Sequence, residues 1–228
     1  MKIATPKITL IEHTEVGEHD GERHVSLRFS GVSIACLDEL KTHSELSWSK
    51  DWLGLAGIVE RSVVMPTDIR RLGRRLIAES WLSSVTSAFE SYDRTVSDLV
   101  KEGLTKRRAR EAARSTLPRC IEVRGEASGS LKAWLSSIPF HARSGSDSET
   151  REVTMLILNE LRAVDSDAAE RVDAIIERDK DEDRKWDAAK SRYRAFLKEY
   201  AGASDTKRDE MKRNMLDGNG LSDWAPSV

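Results

Sequence analysis

The hydrophobic pattern changes its period near Ser33, and this change constrains the fold more than any other feature of the sequence. Residues 6–16 (PKITLIEHTEV) and 23–32 (RHVSLRFSGV) alternate apolar and polar positions, which is typical of strands with one buried face. We expect Gly31 to stop the second strand. After Ser33 the apolar residues follow helical spacing, which predicts a helix ending near His43. The sequence thus begins with two predicted strands followed directly by a predicted helix.

The segments up to about residue 164 are predicted to be mainly helical, with short strands between the helices. Ser146 and Glu149 are spaced as a capping box, which predicts the start of a helix there. The other predicted elements are a loop over 48–57, a strand over 60–66, a helical region capped by Thr67 and running with gaps to about Lys101, a helix over 104–118, and a strand, Gly/Ser turn and helix from Cys120 to Trp134.

Composition limits the classes of partner and the compartment. Hydrophobic residues make up 39% of the 228 residues and charged residues 33%, with a net charge of −2, so the chain as a whole has no electrostatic attraction to nucleic acid or to an anionic membrane. Cys36 and Cys120 are far apart and not in a CxxC motif, which favours free thiols. Since no apolar run has the length of a signal peptide or a membrane span, we expect a cytoplasmic protein.

The last quarter of the sequence differs from the rest in its charge density. From residue 165 to 212 it is highly charged and keeps only a narrow apolar seam, which predicts long solvated helices followed by a polar tail. We therefore divide the chain into a domain over 1–164 and a charged helical extension over 165–228.

Standard nucleotide-loop, zinc-protease and serine-hydrolase motifs are missing, and the five histidines do not have metal-ligand spacing along a helix. The densest basic run is KRRAR, residues 106–110. It is either a solvated helix face or an electrostatic platform for phosphate groups. Arg114 follows one turn later, directly before STLP, where its planar guanidinium is suited to bind a nucleotide phosphate.

Several segments resemble the flavin-dependent thymidylate synthases, in the order and near the spacing of that family. Residues 110–134 (REAARSTLPRCIEVRGEASGSLKAW) resemble the family's Ala-Arg before Leu-Pro, its strand and its Asn-Leu-Arg-Ser-Trp turn. Residues 31–47 (GVSIACLDELKTHSELS) resemble the run that contains the family's Arg-His-Arg signature. Residues 60–66 (ERSVVMP) resemble the family's strand ending in proline, and residues 146–158 (SDSETREVTMLIL) resemble its Ala-Gln-x-Glu-Ile-Arg-Glu-Val helix. The resemblance covers roughly residues 24–161.

This resemblance implies a mixed α/β homotetramer whose active sites are shared between subunits. Members of the family transfer a one-carbon unit from methylenetetrahydrofolate to C5 of dUMP, with FAD reduced by NADPH. Such chemistry needs donors that polarise the uracil carbonyls and a cation that binds the phosphate. The flavin carries the redox step, so an enzyme nucleophile is not required.

Matching positions give the candidate site residues, and many of them depart from the family pattern. The Arg-His-Arg signature falls on Thr42, His43 and Ser44, and only its histidine is kept. The candidates for catalysis are Arg114, His141 and Arg143; for cofactor binding, His43, Ser44, Ser47, Ser130 and Lys132; and for substrate binding, Glu39, Trp52 and Arg114.

The departures leave several hypotheses open. Losing two arginines removes charge-assisted hydrogen bonds worth roughly 1.5–3 kcal/mol each, which lowers the affinity for flavin or nucleotide. Glu39 replaces a glutamine that contacts the uracil base, and a carboxylate accepts from the exocyclic amine of cytosine. On the enzyme hypothesis, the resemblance implies dUMP, UMP or a cytidine nucleotide as the substrate and methyl or hydroxymethyl as the transferred group. The alternatives are a non-catalytic relative that binds nucleotide or acts as a partner subunit, and a helical interaction protein.

Overall fold

In the computed structural model, which describes residues 1–16, 22–42, 45–49, 58, 60–208 and 211, the strands form two sheets. A four-stranded antiparallel sheet has the order β2–β3–β6–β4, and a small parallel sheet pairs β1 with β5. The strands are β1 Lys2–Ala4, β2 Lys7–Val16, β3 Glu22–Ser33, β4 Ser47–Trp48, β5 Ser62–Val64 and β6 Glu122–Ser130.

Helices connect and cover these strands, so the predicted α/β (α+β) class with long helices is confirmed. They are α1 Ile34–Leu40, α2 Thr67–Leu72, α3 Arg75–Lys101, α4 Lys106–Ala113, α5 Leu131–Ala142, α6 Ser148–Arg162 and α7 Ser166–Gly202, with a 3₁₀ turn at Arg114–Thr116. The chain divides into two compact units, Met1–Val172 and Asp173–Val228. The division at residue 165 that the sequence suggested stays a prediction.

The first unit packs one face of the large sheet into a hydrophobic core. Val25, Leu27 and Phe29 alternate along β3 and are at most 3% exposed, which the alternating sequence pattern predicted. Trp134 of α5 packs beside Phe29, with their ring centroids 6.3 Å apart, and its indole Nε1 donates to the carbonyl of Val25 at 3.1 Å. This hydrogen bond satisfies the polar end of a large buried side chain and fixes α5 against the sheet.

A β-bulge interrupts the pairing of β3 with β6 at Gly31. The register shifts between Phe29 and Val32, and Gly31 has a φ of +67°. Its backbone N–H, which has left the ladder, donates to the Glu122 side chain at 3.0 Å. A Cβ added to Gly31 would lie 1.8 Å from the carbonyl oxygen of Thr5, so this position accepts only glycine. The strand thus bends at Gly31 instead of stopping there, which corrects the prediction from the sequence.

The Glu122 carboxylate stabilises the bulge and links it to the neighbouring strand. Besides the Gly31 amide, it accepts hydrogen bonds from the Ser62 hydroxyl and from the Arg124 guanidinium, whose Nε lies 3.0 Å away. Burial alone would raise the pKa of Glu122, but the hydrogen bonds from Arg124, Ser62 and Gly31 outweigh it and lower this pKa below 4.5. Glu122 is therefore a buried carboxylate that stays ionised.

The long helix α3 buries the apolar stripe that its sequence predicts. Val85, Phe89 and Tyr92 are buried, and Val96 and Leu99 are half-buried. Thr67 is the first residue of α2 and not its cap, because its hydroxyl donates to Glu152 of α6 at 2.7 Å.

Two other local predictions from the sequence are wrong. Trp48, placed in a loop by its neighbours, lies in β4 and packs against Phe29, with ring centroids 5.4 Å apart. The capping box at Ser146 and Glu149 does not form, because the cap position of α6 is Asp147 and the Glu149 carboxylate binds Ser33 instead. In both cases contacts distant in sequence outweigh the local signal.

The second unit contains the charged end of α7, which agrees with the predicted solvated helix. Ion pairs along its surface include Lys180 with Glu177 at 2.6 Å and Lys185 with Asp181 at 2.9 Å. After the helix, Arg208 lies over the ring of Tyr200 with a 5.7 Å separation. Pairs one turn apart on an exposed helix each contribute a few tenths of a kcal/mol.

Replacing Gly31 with alanine is expected to destabilise the fold by about 3 kcal/mol, because a left-handed backbone is unfavourable for alanine and its Cβ overlaps Thr5. Gly73 is a matched control, since its φ is +61° and nothing lies within 4 Å of an added Cβ. Gly73→Ala should therefore cost only about 1 kcal/mol. Urea denaturation measures both free energies of unfolding, and equal losses would contradict the overlap.

Glu122→Gln is expected to lower the free energy of unfolding by about 2 kcal/mol at pH 7, because bonds to an ionised group are lost. The folded pKa of Glu122 lies below its unfolded value of 4.5, so its stabilisation is present above pH 4.5 and disappears as the pH falls through the folded pKa. The difference between variant and parent should shrink accordingly in denaturation curves taken from pH 7 to pH 3.

The control is Glu126→Gln, which removes an exposed ion pair with Arg28 and should change stability by less than about 0.5 kcal/mol. A Glu122→Gln difference that stays constant down to pH 3 would show that the charge of Glu122 does not stabilise the bulge.

Candidate functional site

An open cleft of about 440 Å³ lies where four elements of the first unit end or begin. They are the end of β3, the end of β5, the entry to β6 and the start of α6. The backbone N–H groups of Ile34 and Ala35 donate to the carbonyls of Ile121 and Arg119, both at 3.1 Å, and hold the start of α1 against the entry to β6. The cleft is lined by Ser33, Ala35, Val64, Pro66, Asp68, Arg119, Cys120, Ser146, Asp147, Ser148, Glu149 and Arg151.

Glu149 is a half-buried carboxylate in this cleft. Its carboxylate accepts from the backbone N–H of Ser33 at 2.7 Å and from the Ser33 hydroxyl at 2.8 Å, and that hydroxyl accepts from the Cys36 N–H to cap α1. Burial raises the pKa of Glu149 above 4.5 even though the bonds from Ser33 act in the opposite direction. Both carboxylate oxygens thus accept hydrogen bonds from Ser33, which help to fix the start of α1.

Both cysteines are free, as the sequence predicted, and neither is suited to act as a nucleophile. Cys120 lines the cleft, and burial raises the pKa of its thiol to about 11. Burial raises the pKa of Cys36 further, helped by the charge of Glu149. At neutral pH both groups are therefore thiols and not the reactive thiolate.

Arg114 ends α4 and is exposed in the single chain. Its guanidinium has no ion pair or hydrogen bond with any residue that the structure describes, whereas Arg119, five residues on, is paired with Asp38 at 2.9 Å. Arg114 is thus an exposed cation without a charged partner among the described residues.

The other two catalytic candidates lie at the end of α5 and have contacts within the fold. His141 is 1% exposed and packs edge-on against Phe140, with ring centroids 5.1 Å apart. The Arg143 guanidinium lies over the same ring at 4.0 Å, a cation–π contact. Neither residue is among those that line the cleft, and their catalytic roles stay predictions.

Three of the proposed ligand-binding residues lie near the point where β6 ends and α5 begins. Ser47 is opposite Ser128 on β6, Ser130 ends that strand, and Lys132 is in the first turn of α5. Ser47 and Lys132 are exposed, whereas the Ser130 hydroxyl accepts from the Ala133 N–H at 3.1 Å and caps the helix. The nine residues of β6 span roughly 30 Å, so this group is separate from the cleft.

The remaining candidates are only partly described. The Glu39 carboxylate accepts from the Thr150 hydroxyl at 2.7 Å, which ties α1 to α6. His43, Ser44 and Trp52 lie outside the described residues.

The described groups fit the phosphates of a flavin cofactor only in part. Thr42, which replaces the first arginine of the family signature, donates to the Glu39 carbonyl at 2.8 Å and so ends α1. Lys132 and Ser47 offer a cation and a hydroxyl at the end of β6. These two residues suit a phosphate group but provide fewer charge-assisted hydrogen bonds than paired arginines do.

Reasoning from the sequence missed the polar contacts that shape this region, because their partners are far apart along the chain. Glu122 binds Ser62 across 60 positions, and Glu149 binds Ser33 across 116. The only sequence signal was the charged Glu122 within the alternating segment CIEVR. Within the described ranges, no three His, Cys, Asp or Glu side chains are grouped to hold a metal ion, and no helix is both long and apolar enough to cross a membrane.

Comparison with known proteins extends over most of the first unit. A family model described as "Thymidylate synthase complementing protein" matches residues 7–165. The flavin-dependent thymidylate synthase of Mycobacterium marinum is 30% identical over 170 residues, covering 72% of this chain and 68% of the relative. That of Mycobacteroides abscessus is 27% identical over 167 residues, covering 70% and 67%. The chain thus spans about two thirds of the length of these relatives.

Solved structures with the same fold support this match. The UMP/dUMP methylase PolB from Streptomyces cacaoi, bound with 5-Br UMP, has a TM-score of 0.58 at 14% sequence identity. The alignment covers 77% of this chain and 97% of PolB. At this identity the likeness concerns the fold, and it confirms the fold expected from the sequence motifs. The chain therefore belongs to the thymidylate synthase complementing protein family.

Proposed function

We propose that the protein transfers a one-carbon unit to C5 of a pyrimidine nucleotide, as the names of its relatives suggest. The observation that carries this proposal is the family match over residues 7–165 together with Arg114, which keeps the family's place before Leu117-Pro118 and has no ion pair within the described chain. An exposed guanidinium binds a phosphate dianion through two parallel hydrogen bonds. The substrate is dUMP or a variant such as UMP or a cytidine nucleotide.

The proposed cofactors follow from the family of the relatives. FAD supplies the redox step when bound, with NADPH as the reductant and methylenetetrahydrofolate as the one-carbon donor. Lys132 and Ser47 are the described residues that would bind the cofactor's phosphates, beside His43 and Ser44. Since Arg114 is exposed in one chain, the proposal includes a homotetramer whose other copies enclose the nucleotide.

A second candidate is a non-catalytic relative that binds nucleotide or serves as a partner subunit. It is favoured by the contacts of Thr42 and Trp48, both near the altered signature. The Thr42 hydroxyl is used to end α1, and Trp48 packs against Phe29 and Trp134 at 5.4 and 6.4 Å. Groups that serve the fold in this way are not available to a flavin.

Arg114→Ala is expected to abolish the increase in melting temperature produced by dUMP, UMP or CMP, because the phosphate loses its charged partner. The loss of one charge-assisted interaction, roughly 1.5–3 kcal/mol, corresponds to at least a tenfold weaker affinity. Thermal-shift titration and calorimetry measure both effects. Arg108→Ala is the control, since Arg108 is exposed on the same helix but points away from Arg114. An unchanged shift in Arg114→Ala would remove Arg114 from the site.

Introducing arginines at the two signature positions distinguishes the proposed enzyme from the non-catalytic relative. If their loss limits flavin affinity, the double variant Thr42→Arg, Ser44→Arg should bind FAD about 100-fold more tightly, as two added charge-assisted bonds allow. Flavin absorption retained after gel filtration and fluorescence titration provide the measurement. The glutamine pair Thr42→Gln, Ser44→Gln adds bulk without charge and is the control.

Measurements on the parent protein decide between the two proposed functions. Flavin binding and tritium release from C5-tritiated nucleotide support the enzyme. No flavin binding by either the parent or the arginine variant, with a nucleotide shift preserved, would exclude the flavoenzyme and leave the non-catalytic relative.

A further inference from the structure

Helix α4 carries positive charges that the described part of the chain leaves without ion pairs. Residues 106–114 contain five basic side chains and one acidic one, in a protein whose net charge is −2. The single acid, Glu111, pairs with Arg107 at 3.1 Å. Lys106, Arg110 and Arg114 are exposed and have no ion pair with any described residue. We call these three residues the basic stripe.

The geometry of the helix lines up the basic stripe. Its members are four residues apart, so they lie on one side of the helix, about 6 Å apart along the axis. Arg114 still has helical backbone angles, φ −57° and ψ −28°, so the alignment continues past the end of α4. The result is three exposed cations in a row over about 12 Å.

This arrangement is unfavourable for the helix itself. Like charges four residues apart repel each other, which applies to Lys106 with Arg110 and to Arg110 with Arg114. Lys106 also lies in the first turn, which has no acidic residue and where the helix dipole disfavours cations. Some exposed arginines elsewhere in the fold are paired, such as Arg28 with Glu126 and Arg61 with Asp93. Local charges that oppose stability are expected where a ligand supplies the compensation.

We propose that the basic stripe binds a linear oligoanion of about three charges, aligned along α4. Nucleic acid fits less well, because residues 104–116 contain no aromatic side chain on which bases stack. A chain of carboxylates or phosphates uses the three cations fully. The γ-glutamyl tail of a folate is such a chain and repeats its carboxylates at a comparable spacing. Only this identification of the tail rests on the proposed function; the basic stripe does not.

The test compares tri-γ-glutamate, tripolyphosphate and an oligothymidylate as probes of the full-length protein by calorimetry. We expect the two small chains to bind and their affinity to fall several-fold between 50 and 200 mM salt, since exposed charges are screened. Tighter binding of tri-γ-glutamate identifies a folate tail, and tighter binding of tripolyphosphate identifies a phosphate chain. Binding of oligothymidylate alone would overturn the proposal in favour of nucleic acid.

The double variant Lys106→Gln, Arg110→Gln removes two charges of the basic stripe and leaves Arg114 in place. It should bind tri-γ-glutamate about tenfold more weakly and, without ligand, melt about 1–3 °C higher because repulsion is relieved. Arg108→Gln removes one exposed cation from the other side of α4 and should leave the affinity unchanged.

An equal loss in Arg108→Gln, or no binding of either small chain, would overturn the basic stripe as a site. Binding of tri-γ-glutamate by a protein that shows no thermal shift with any pyrimidine nucleotide would retain the basic stripe and reject the proposed function.

Discussion

The first unit depends on the hydrogen bonds that the Glu122 carboxylate makes around the bulge at Gly31. A backbone N–H that leaves a buried ladder needs another acceptor, and Glu122 provides it while also binding Ser62 and Arg124. The bulge redirects β3 so that Ser33 arrives at the start of α1, where its hydroxyl caps the helix and binds Glu149. The bulge at Gly31 and the start of α1 at Ser33, which lines the cleft, are thus two residues apart.

The candidate residues differ in whether their side chains contact other parts of the fold or are available to ligands. Most candidates taken from the family pattern have intramolecular contacts here: Ser130 caps α5, Glu39 binds Thr150, and Arg143 lies on Phe140. Arg114 and Lys132 differ, because no described residue neutralises them. If Arg114 binds the nucleotide as proposed, the absence of arginines at positions 42 and 44 affects the cofactor and not the nucleotide. Nucleotide and cofactor affinities must therefore be measured separately.

Local sequence signals predicted the elements well where each element's own pattern is strong. Strands β2 and β3 form as predicted, and the alternation of β3 and the apolar stripe of α3 correspond to buried faces, because burial of one face decides both period and position. Predictions failed where a partner distant in sequence competes with the local signal. Ser146 and Glu149 have the spacing of a capping box, yet the Ser33 amide and hydroxyl bind the carboxylate more favourably. Trp48 looked like a loop residue because its strand pairing to β6 lies 79 positions away.

The sequence by itself determined the class of fold, the family, the free cysteines and the cationic character of α4, because each depends on periodicity, motif order or composition. The tertiary structure alone decided which polar groups remain available. Whether an arginine or serine faces a ligand depends on partners brought together by folding, as Ser33 and Glu149 are across 116 positions. Spacing along the sequence does not predict such pairs, because the free energy of a buried hydrogen bond depends on the distance between its atoms and on their burial in the folded structure.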